Sequence, residues 1–375
     1  MIKFWSYKRE YQRYRKKLLK GVDRSIKSGS IFFGEELIKF EKNFIKKYKA
    51  KYGVAVGSGT DALLISLMAV GIKSGDEVIT VANTAIPTIS AIISSGAVPR
   101  LVDIGDDYLI DVKKIEKEIN SKTKVIIPVH LYGQPCNMDE INKIAKKFNL
   151  KIIEDCAQSQ GSKYKNKYVG NFGNFGCFSF YPTKILGAYG DGGFILTNSF
   201  KEYQKIKRIR YYGIETVNHK NKFINKYYSN ENGINSRIDE IQCSILNLKL
   251  KNVDFYINRR RQLVKVYLKE LAQTNLKLPL ENNNSYHVYH LFTLFHPKSK
   301  EIIKKLKQKG VETRVIYPYP IHKMKAYKNI KFKKNILKNS EIKSKNIFCL
   351  PLYPELKESE IKFVCKNLKE ILKII

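Results

Sequence analysis

Three short segments hold residues whose types and order could do chemistry. The first is Ser179-Phe180-Tyr181-Pro182-Thr183-Lys184, followed closely by the glycine-rich Gly187-Ala188-Tyr189-Gly190-Asp191-Gly192-Gly193. A lysine that leaves a strand beside a glycine cluster is held by backbone, and Pro182 stiffens the approach. Partial desolvation lowers the pKa of such a lysine and makes its amine a nucleophile for carbonyls. Taken alone, Lys184 is one lysine in a lysine-rich chain, and an ordinary surface position fits it better.

The second segment centres on Asp155, after Lys151-Ile152-Ile153-Glu154 and before Ala157, Gln158 and Ser159. An aspartate at the end of an interior strand needs a cation. A pyridinium nitrogen is such a cation, and pyridoxal phosphate (PLP) chemistry pairs a Schiff-base lysine with an acid at that nitrogen. Asp155 reads equally as a helix N-cap, with Gln158 as its capping-box partner. The third segment is Gly57-Ser58-Gly59-Thr60-Asp61. A strand, glycines and a helix start present free amides and a favourable dipole to a phosphate. The segment lacks the ending of a P-loop and is not GxGxxG. A plain strand–helix turn capped by Thr60 would show the same residues. Ser179 could add a hydroxyl to the same phosphate. Cradle, acid and lysine are weak singly and strong in combination.

The elements that must position these groups alternate. Strands are expected at Tyr52 to Gly57, Glu77 to Val81, Arg100 to Ile104, Lys124 to Val129, Lys151 to Glu154, Phe178 to Tyr181 and Gly193 to Thr197. Helices are expected after Gly59, near Pro87 to Ser95, and at Met138 to Phe148, Lys201 to Tyr212 and Ile238 to Leu250. Apolar strands alternating with helices imply a mainly parallel α/β sheet covered on both faces. Ligands of such sheets sit at the carboxyl ends of the strands, where Gly59 and Asp155 fall. Lys220 to Asn232 has no periodicity and reads as a long loop. Near residue 250 the pattern changes. A helix from Val253 to Ala272, a strand at Tyr286 to Phe295, a helix at Glu301 to Gln308, a strand at Thr313 to Ile316 and a helix from Ser359 suggest a smaller α+β domain. The expected division is residues 1–250 and 251–375, with a helical segment at the N-terminus.

The 375 residues are 43% hydrophobic, enough for a packed core, and no apolar run approaches the roughly 18 residues of a membrane span. The charged, aromatic N-terminus does not resemble a signal peptide. Lys+Arg 69 against Asp+Glu 34 gives a net charge of +35, spread along the whole chain. That reads as a basic surface attracting anions in general, more than as a specific nucleic-acid site. The six cysteines are dispersed and the six histidines form no HxxxH pair, so no metal site is expected. Dispersed cysteines suit a reducing cytoplasm.

Taken together, the motifs resemble those of the DegT-type (StrS-like) sugar aminotransferases, PLP enzymes of the aspartate aminotransferase fold. The resemblance covers nearly the whole chain. It is carried by Gly59-Thr60-Asp61-Ala62-Leu63, Gly75-Asp76-Glu77-Val78-Ile79-Thr80, His130-Leu131-Tyr132-Gly133-Gln134-Pro135 and Glu154-Asp155-Cys156-Ala157-Gln158. Ser179 to Lys184 with Gly190-Asp191-Gly192-Gly193 is its centre. Gly233 to Glu240, Tyr317 to His322 and Leu350 to Pro354 continue it.

The resemblance implies a fold-type-I PLP transferase with a seven-stranded sheet. Lys184 would carry PLP as a Schiff base, Asp155 would hold the pyridinium, and Gln158 would sit beside the ring hydroxyl. Gly59, Thr60 and Ser179 would bind the phosphate. Asn235 would reach the phosphate of a neighbouring subunit, with Arg237 beside it as a substrate-binding residue, making the active form a homodimer with shared sites. Tyr317 and His322 would line the sugar-nucleotide entrance. The implied reaction aminates a nucleotide-linked keto-sugar with glutamate as donor, for cell-surface polysaccharide such as O-antigen or a related glycan. The runs Asn83 to Thr88 and Tyr212 to Glu215 look most like members acting on dTDP-3-keto-6-deoxyhexoses, with UDP- or GDP-linked 4-keto sugars as the alternative. Two positions depart from the family pattern: Ala85 where an aromatic often stacks on the ring, and Gln160 where histidine is common. Relatives that dehydrate instead carry histidine in place of the lysine, and Lys184 argues against that branch.

Overall fold

The computed structural model describes residues 1–215, 228–330 and 336–375. Seven short strands build one sheet: β1 (Tyr52–Val56), β2 (Glu77–Val81), β3 (Val98–Val102), β4 (Thr123–Ile126), β5 (Lys151–Asp155), β6 (Phe175–Ser179) and β7 (Gly193–Thr197). Their spatial order is β1-β7-β6-β5-β4-β2-β3. All neighbours from β6 to β3 run parallel, and β7 is antiparallel to both β1 and β6.

Alternate side chains of each strand enter different layers, so an apolar strand is the only kind that fits. Val54, Val56, Ile153, Cys177 and Ile195 pack under α3 (Gly59–Ala69), α4 (Ile86–Ser94) and the helix Phe200–Ile209. Ala55, Phe178, Phe194 and Leu196 face the other way, into a core shared with α1 (Tyr7–Lys27), α2 (Glu35–Tyr48) and the helix Glu240–Leu250. Aromatic rings fill that layer: Phe44 lies 4.3 Å from Tyr48 and from Phe194, centroid to centroid.

The C-terminal part has its own core of Leu263, Tyr267, Phe292, Phe348 and Leu368, among others. It is built on an antiparallel pair, Phe292–Phe295 with Ile347–Leu350, covered by the helices Ser299–Gln308 and Glu358–Leu372. The expected boundary at residue 250 falls between the helices Glu240–Leu250 and Val253–Leu271. The second of these contributes Val253, Tyr256 and Ile257 to the large core and Leu263, Val264, Tyr267 and Leu271 to the small one. It therefore stitches the two parts together.

Some expected elements differ. The single strand Tyr286 to Phe295 is broken into Ser285–Tyr286 and Phe292–Phe295. The intervening backbone turns to the large domain, with Val288 N donating to Gly133 O at 3.1 Å and Leu291 N to Tyr132 O at 3.4 Å. Thr313 to Ile316 is not a strand; Arg314 alone makes a bridge, to Cys349. β3 and β6 each start and end earlier than expected, and the earlier end makes Ser179 the last residue of its strand. Residues 220–227 of the expected long loop lie outside the described residues. The hairpin Lys163–Tyr164 with Lys167–Tyr168 and the strand Ile347–Leu350 gave no signal in the sequence that was read.

Candidate active site

β1, β5 and β6 end on the same side of the sheet, and their ends bring the three chemical segments together. Asp155 and Cys177 are partners in the β5–β6 ladder, so Asp155 and Ser179 stand on adjacent strand ends. Past Ser179 the chain stays pinned: Phe180 N donates to Gly192 O at 2.7 Å, and Lys184 N to Tyr181 O at 2.8 Å. Buried Ile185 and Leu186 anchor the next turn. Lys184 is consequently fixed at its Cα and partly buried. Burial lowers its pKa from 10.5 to about 8, and the charge of Asp155 works in the opposite direction. The amine and the carboxylate thus share one site.

Asp155 is buried and accepts two hydrogen bonds. Ala157 N donates to Oδ1 at 3.1 Å, and the Thr88 hydroxyl donates to Oδ2 at 2.8 Å. No helix follows it; residues 156–162 form turns, which removes the N-cap reading. Gln158 is a clamp and not a capping partner. Its Oε1 accepts from Tyr132 N at 2.8 Å, and its Nε2 donates to the Tyr317 phenol at 2.9 Å. Tyr132 in turn donates its hydroxyl to Ile316 O at 2.5 Å. Burial first, and the Asp155 charge second, push the Tyr317 phenol above its ordinary pKa.

The cradle is the N-terminus of α3. Ser58, and not Thr60, caps it by accepting from Asp61 N at 3.1 Å. The amides of Gly59 and Thr60 have no protein acceptor among the described residues. A Cβ at Gly59 would lie 2.6 Å from the Ser179 Cβ, so only glycine lets the strand end approach this closely. Ser236 braces the same turn. Its hydroxyl donates to Asp61 Oδ2 at 2.7 Å and accepts from Gly57 N at 2.9 Å. Asn235 and Arg237 flank that brace at the surface, with Arg237 Nε donating to Asn235 Oδ1 at 3.0 Å. The Arg237 guanidinium lies 4.3 Å from the Phe32 ring centre.

His322 is placed differently from the other expected residues. Its side chain is buried, and Nε2 lies 2.9 Å from Glu341 Oε1, a carboxylate that Lys323 also reaches at 3.0 Å. Sequence reasoning missed Thr84, Thr88 and His290. The threonines are polar positions at the start of an otherwise apolar helix, a usable signal. His290 is buried and its Nδ1 has no partner among the described residues. Burial, then the charges of Lys184 and Arg260, hold it far below the usual histidine pKa, so it faces the lysine as a neutral ring. Gly133 makes room there, since a Cβ on it would lie 2.9 Å from His290 N. Gln160 ties in the strand end by donating from Nε2 to Ser179 O at 2.6 Å.

His130, Glu154 and Cys156 come within 4.8 Å of one another. Hydrogen bonds account for this group. Glu154 accepts from Gly170 N at 2.8 Å, Phe172 N at 2.7 Å and Gly173 N at 2.8 Å, and His130 Nδ1 accepts from Cys136 N at 3.0 Å. A cavity of about 600 Å³ between the loops 105–112 and 277–287 shares Tyr132 with the site but does not include Lys184. Among the described residues no helix is long and apolar enough to cross a membrane.

The donor set fits PLP. A desolvated amine can bind its carbonyl, a buried carboxylate can meet its ring nitrogen, and two free amides at a helix start can take its phosphate. Comparison with known proteins agrees. The chain is 40% identical over 365 residues to the dTDP-3-amino-3,6-dideoxy-alpha-D-galactopyranose transaminase of Aneurinibacillus thermoaerophilus, covering 97% of this chain and 98% of that one. It is 37% identical over 374 residues to the dTDP-3-amino-3,4,6-trideoxy-alpha-D-glucose transaminase of Micromonospora megalomicea subsp. nigra, covering 98% of each. S. venezuelae DesV, solved in complex with a ketimine intermediate, superposes with a TM-score of 0.94 at 32% identity, over 98% of each chain. Residues 12–369 match one family throughout, and the chain belongs to it: the DegT/DnrJ/EryC1/StrS aminotransferases, which depend on PLP.

Proposed function

We propose that this enzyme, acting in the cytoplasm, transfers an amino group to a dTDP-linked 3-keto-6-deoxyhexose, with glutamate as donor, and that its product serves the synthesis of cell-surface polysaccharide or a related glycan. The observation that carries the chemistry is the partly buried, desolvated Lys184 amine that feels the charge of Asp155. The substrate class is supported by the two relatives named for dTDP-3-amino sugars.

Bound PLP supplies an electron sink for the carbon that loses or gains a proton. The protein does the rest. The Gly59 and Thr60 amides, with the Thr60 and Ser179 hydroxyls, would hold the phosphate. Asp155, its two oxygens oriented by the Ala157 amide and the Thr88 hydroxyl, would meet the ring nitrogen. Gln158 and Tyr317, joined by their hydrogen bond, would flank the ring hydroxyl. The Lys184 amine would hold the cofactor's carbonyl carbon and, when free, would serve as the acid and base that moves a proton on the substrate. A pKa near 8 suits both tasks, because both forms of the amine are populated near neutral pH.

A homodimer with shared sites is part of this reading. Ile31 is 69% and Tyr212 46% exposed, and both adjoin the Asn235–Arg237 loop: Ile31 O accepts from Glu240 N, and Tyr212 N donates to Ile234 O. A second copy covering this face would bury them and bring Asn235 and Arg237 to its own phosphate site. Tyr317 contributes at the substrate entrance, while His322 supports that entrance through Glu341. The test is a panel of dTDP-, UDP- and GDP-linked 3-keto and 4-keto sugars, read by product mass. Amination of the dTDP-3-keto sugar is expected. Turnover of a UDP- or GDP-linked 4-keto sugar alone would overturn the substrate assignment, and a deoxygenated product without nitrogen would overturn the transaminase assignment.

A further inference from the structure

We propose that Thr88 is a positioning residue for Asp155, and that Thr84 fixes the direction of its hydrogen bond. The inference rests on the PLP reading of the site. Thr84 Oγ1 and Thr88 Oγ1 are 2.8 Å apart, and Thr88 Oγ1 is 2.8 Å from Asp155 Oδ2. Thr84 is 1% exposed and Thr88 fully buried, so water does not compete for either hydroxyl.

A hydroxyl has one proton to give. Carboxylate Oδ2 can only accept, so Thr88 donates to Asp155. The contact between the threonines must then run from Thr84 to Thr88. The proton order along Thr84–Thr88–Asp155 is therefore determined by the geometry. A hydroxyl that accepts one hydrogen bond becomes a better donor in the next.

One consequence follows for the acid. With Ala157 N on Oδ1 and Thr88 on Oδ2, both oxygens are tied and the carboxylate plane is fixed. A carboxylate held in plane is what a ring nitrogen must meet to keep its proton. Thr88 sits in the first turn of α4, where a β-branched side chain has few rotamers. α4 thus carries a rigid support for the acid on β5.

The experiment compares Thr88→Val, Thr88→Ser and Thr84→Val in the full-length protein. It reads the PLP dissociation constant, the pH dependence of the bound cofactor's visible absorbance, and thermal stability. Wild-type protein that bound no PLP would remove the cofactor reading before any variant was tested. Thr88→Val is expected to bind PLP roughly ten- to hundredfold more weakly. Its ring nitrogen should lose its proton at lower pH than in the wild type. Thr88→Ser, which keeps the hydroxyl, should stay close to wild type in both. Thr84→Val should show a smaller shift in the same direction, and it tests the relay even if Thr88→Val does not fold. Unchanged affinity and pH profile in Thr88→Val would overturn the proposal. So would a Thr88→Ser defect as large as that of the valine variant, or a Thr84→Val profile identical to wild type. A purely structural role would lower thermal stability without moving the pH profile.

Discussion

The Gln158 amide donates to the Tyr317 phenol at 2.9 Å across 159 positions of sequence. That bond fastens the strand end carrying Asp155 to the segment arriving from the C-terminal part. Tyr317→Phe removes the acceptor and leaves a half-buried amide N–H unpaired. Loss of roughly 1–3 kcal/mol of stability is expected, together with weaker cofactor retention. Chemical unfolding and PLP titration check both. Unchanged values in both would mean that the bond carries no load.

The Lys184 amine should react with carbonyls at lower pH than an ordinary lysine. In the cofactor-free protein, capture of an aldehyde at this residue should reach half its maximal rate near pH 8, because burial lowers the pKa to about 8. A midpoint near 10.5 would contradict the desolvated site. Stability follows the same shift. Between about pH 8 and 10.5 the unfolded chain binds a proton that the folded chain does not, so stability rises with pH across that window. Lys184→Met should abolish that rise.

Gly59→Ala should separate phosphate binding from ring binding. The new Cβ would sit 2.6 Å from the Ser179 Cβ, so the cradle and the strand end must part. PLP affinity should fall by about tenfold or more, as one or two charge-assisted hydrogen bonds are lost. Affinity for pyridoxal, which has no phosphate, should change much less. An equal loss for both ligands would place the phosphate elsewhere.

Glu154→Gln tests a buried charge that does no chemistry. The carboxylate accepts from three backbone amides and stands 3.1 Å from His130 Nε2. An amide in its place turns an NH₂ toward donors. Destabilisation of roughly 3 kcal/mol or more is expected, measured by urea unfolding. Chelators should leave the wild type unchanged; a chelator-sensitive melting temperature would reopen the metal reading of His130, Glu154 and Cys156.

Mixing Lys184→Ala with Asn235→Ala protein should regenerate activity if each site takes Asn235 from the other subunit. Subunit exchange is verified separately with a mass tag. Exchange without any recovered activity would overturn the shared site.

The parts legible in the sequence were those governed by short-range pattern. The strands β1 to β7 announced themselves as apolar runs between turn residues, because both faces of the sheet are covered. Lys184, Asp155 and Gly59 stood out through their position at strand ends. The hydrogen-bond partners were not legible, since they join distant segments: Thr88 to Asp155, Ser236 to Asp61, and Tyr132 and Tyr317 to Gln158. The strand expected over Tyr286 to Phe295 failed for the same reason. Its pattern is right for a strand, but Arg260 draws the carbonyls of Tyr289 and His290 to itself, at 3.4 and 3.2 Å. The cap of α3 was assigned one or two residues late because Ser58 and Thr60 both suit the role, and only the backbone angles distinguish them.

The order of strands has a consequence for how the chain is made. β1 pairs with β7 alone, Tyr52 opposite Thr197 and Val56 opposite Gly193. During synthesis β1 therefore emerges long before its partner exists, while β2 and β3 find each other early. At roughly 5–20 residues per second that interval is on the order of ten seconds. For that time an apolar strand edge of the nascent protein is open to wrong partners, and α2, which adjoins β1 in sequence and packs beside it, is what can shelter it. The phosphate cradle at the end of β1 waits longer still, because its brace at Ser236 is made after β7. With Gly59 and Thr60 as the proposed phosphate ligands, cofactor capture would come late in the life of the nascent chain, after the sheet has closed.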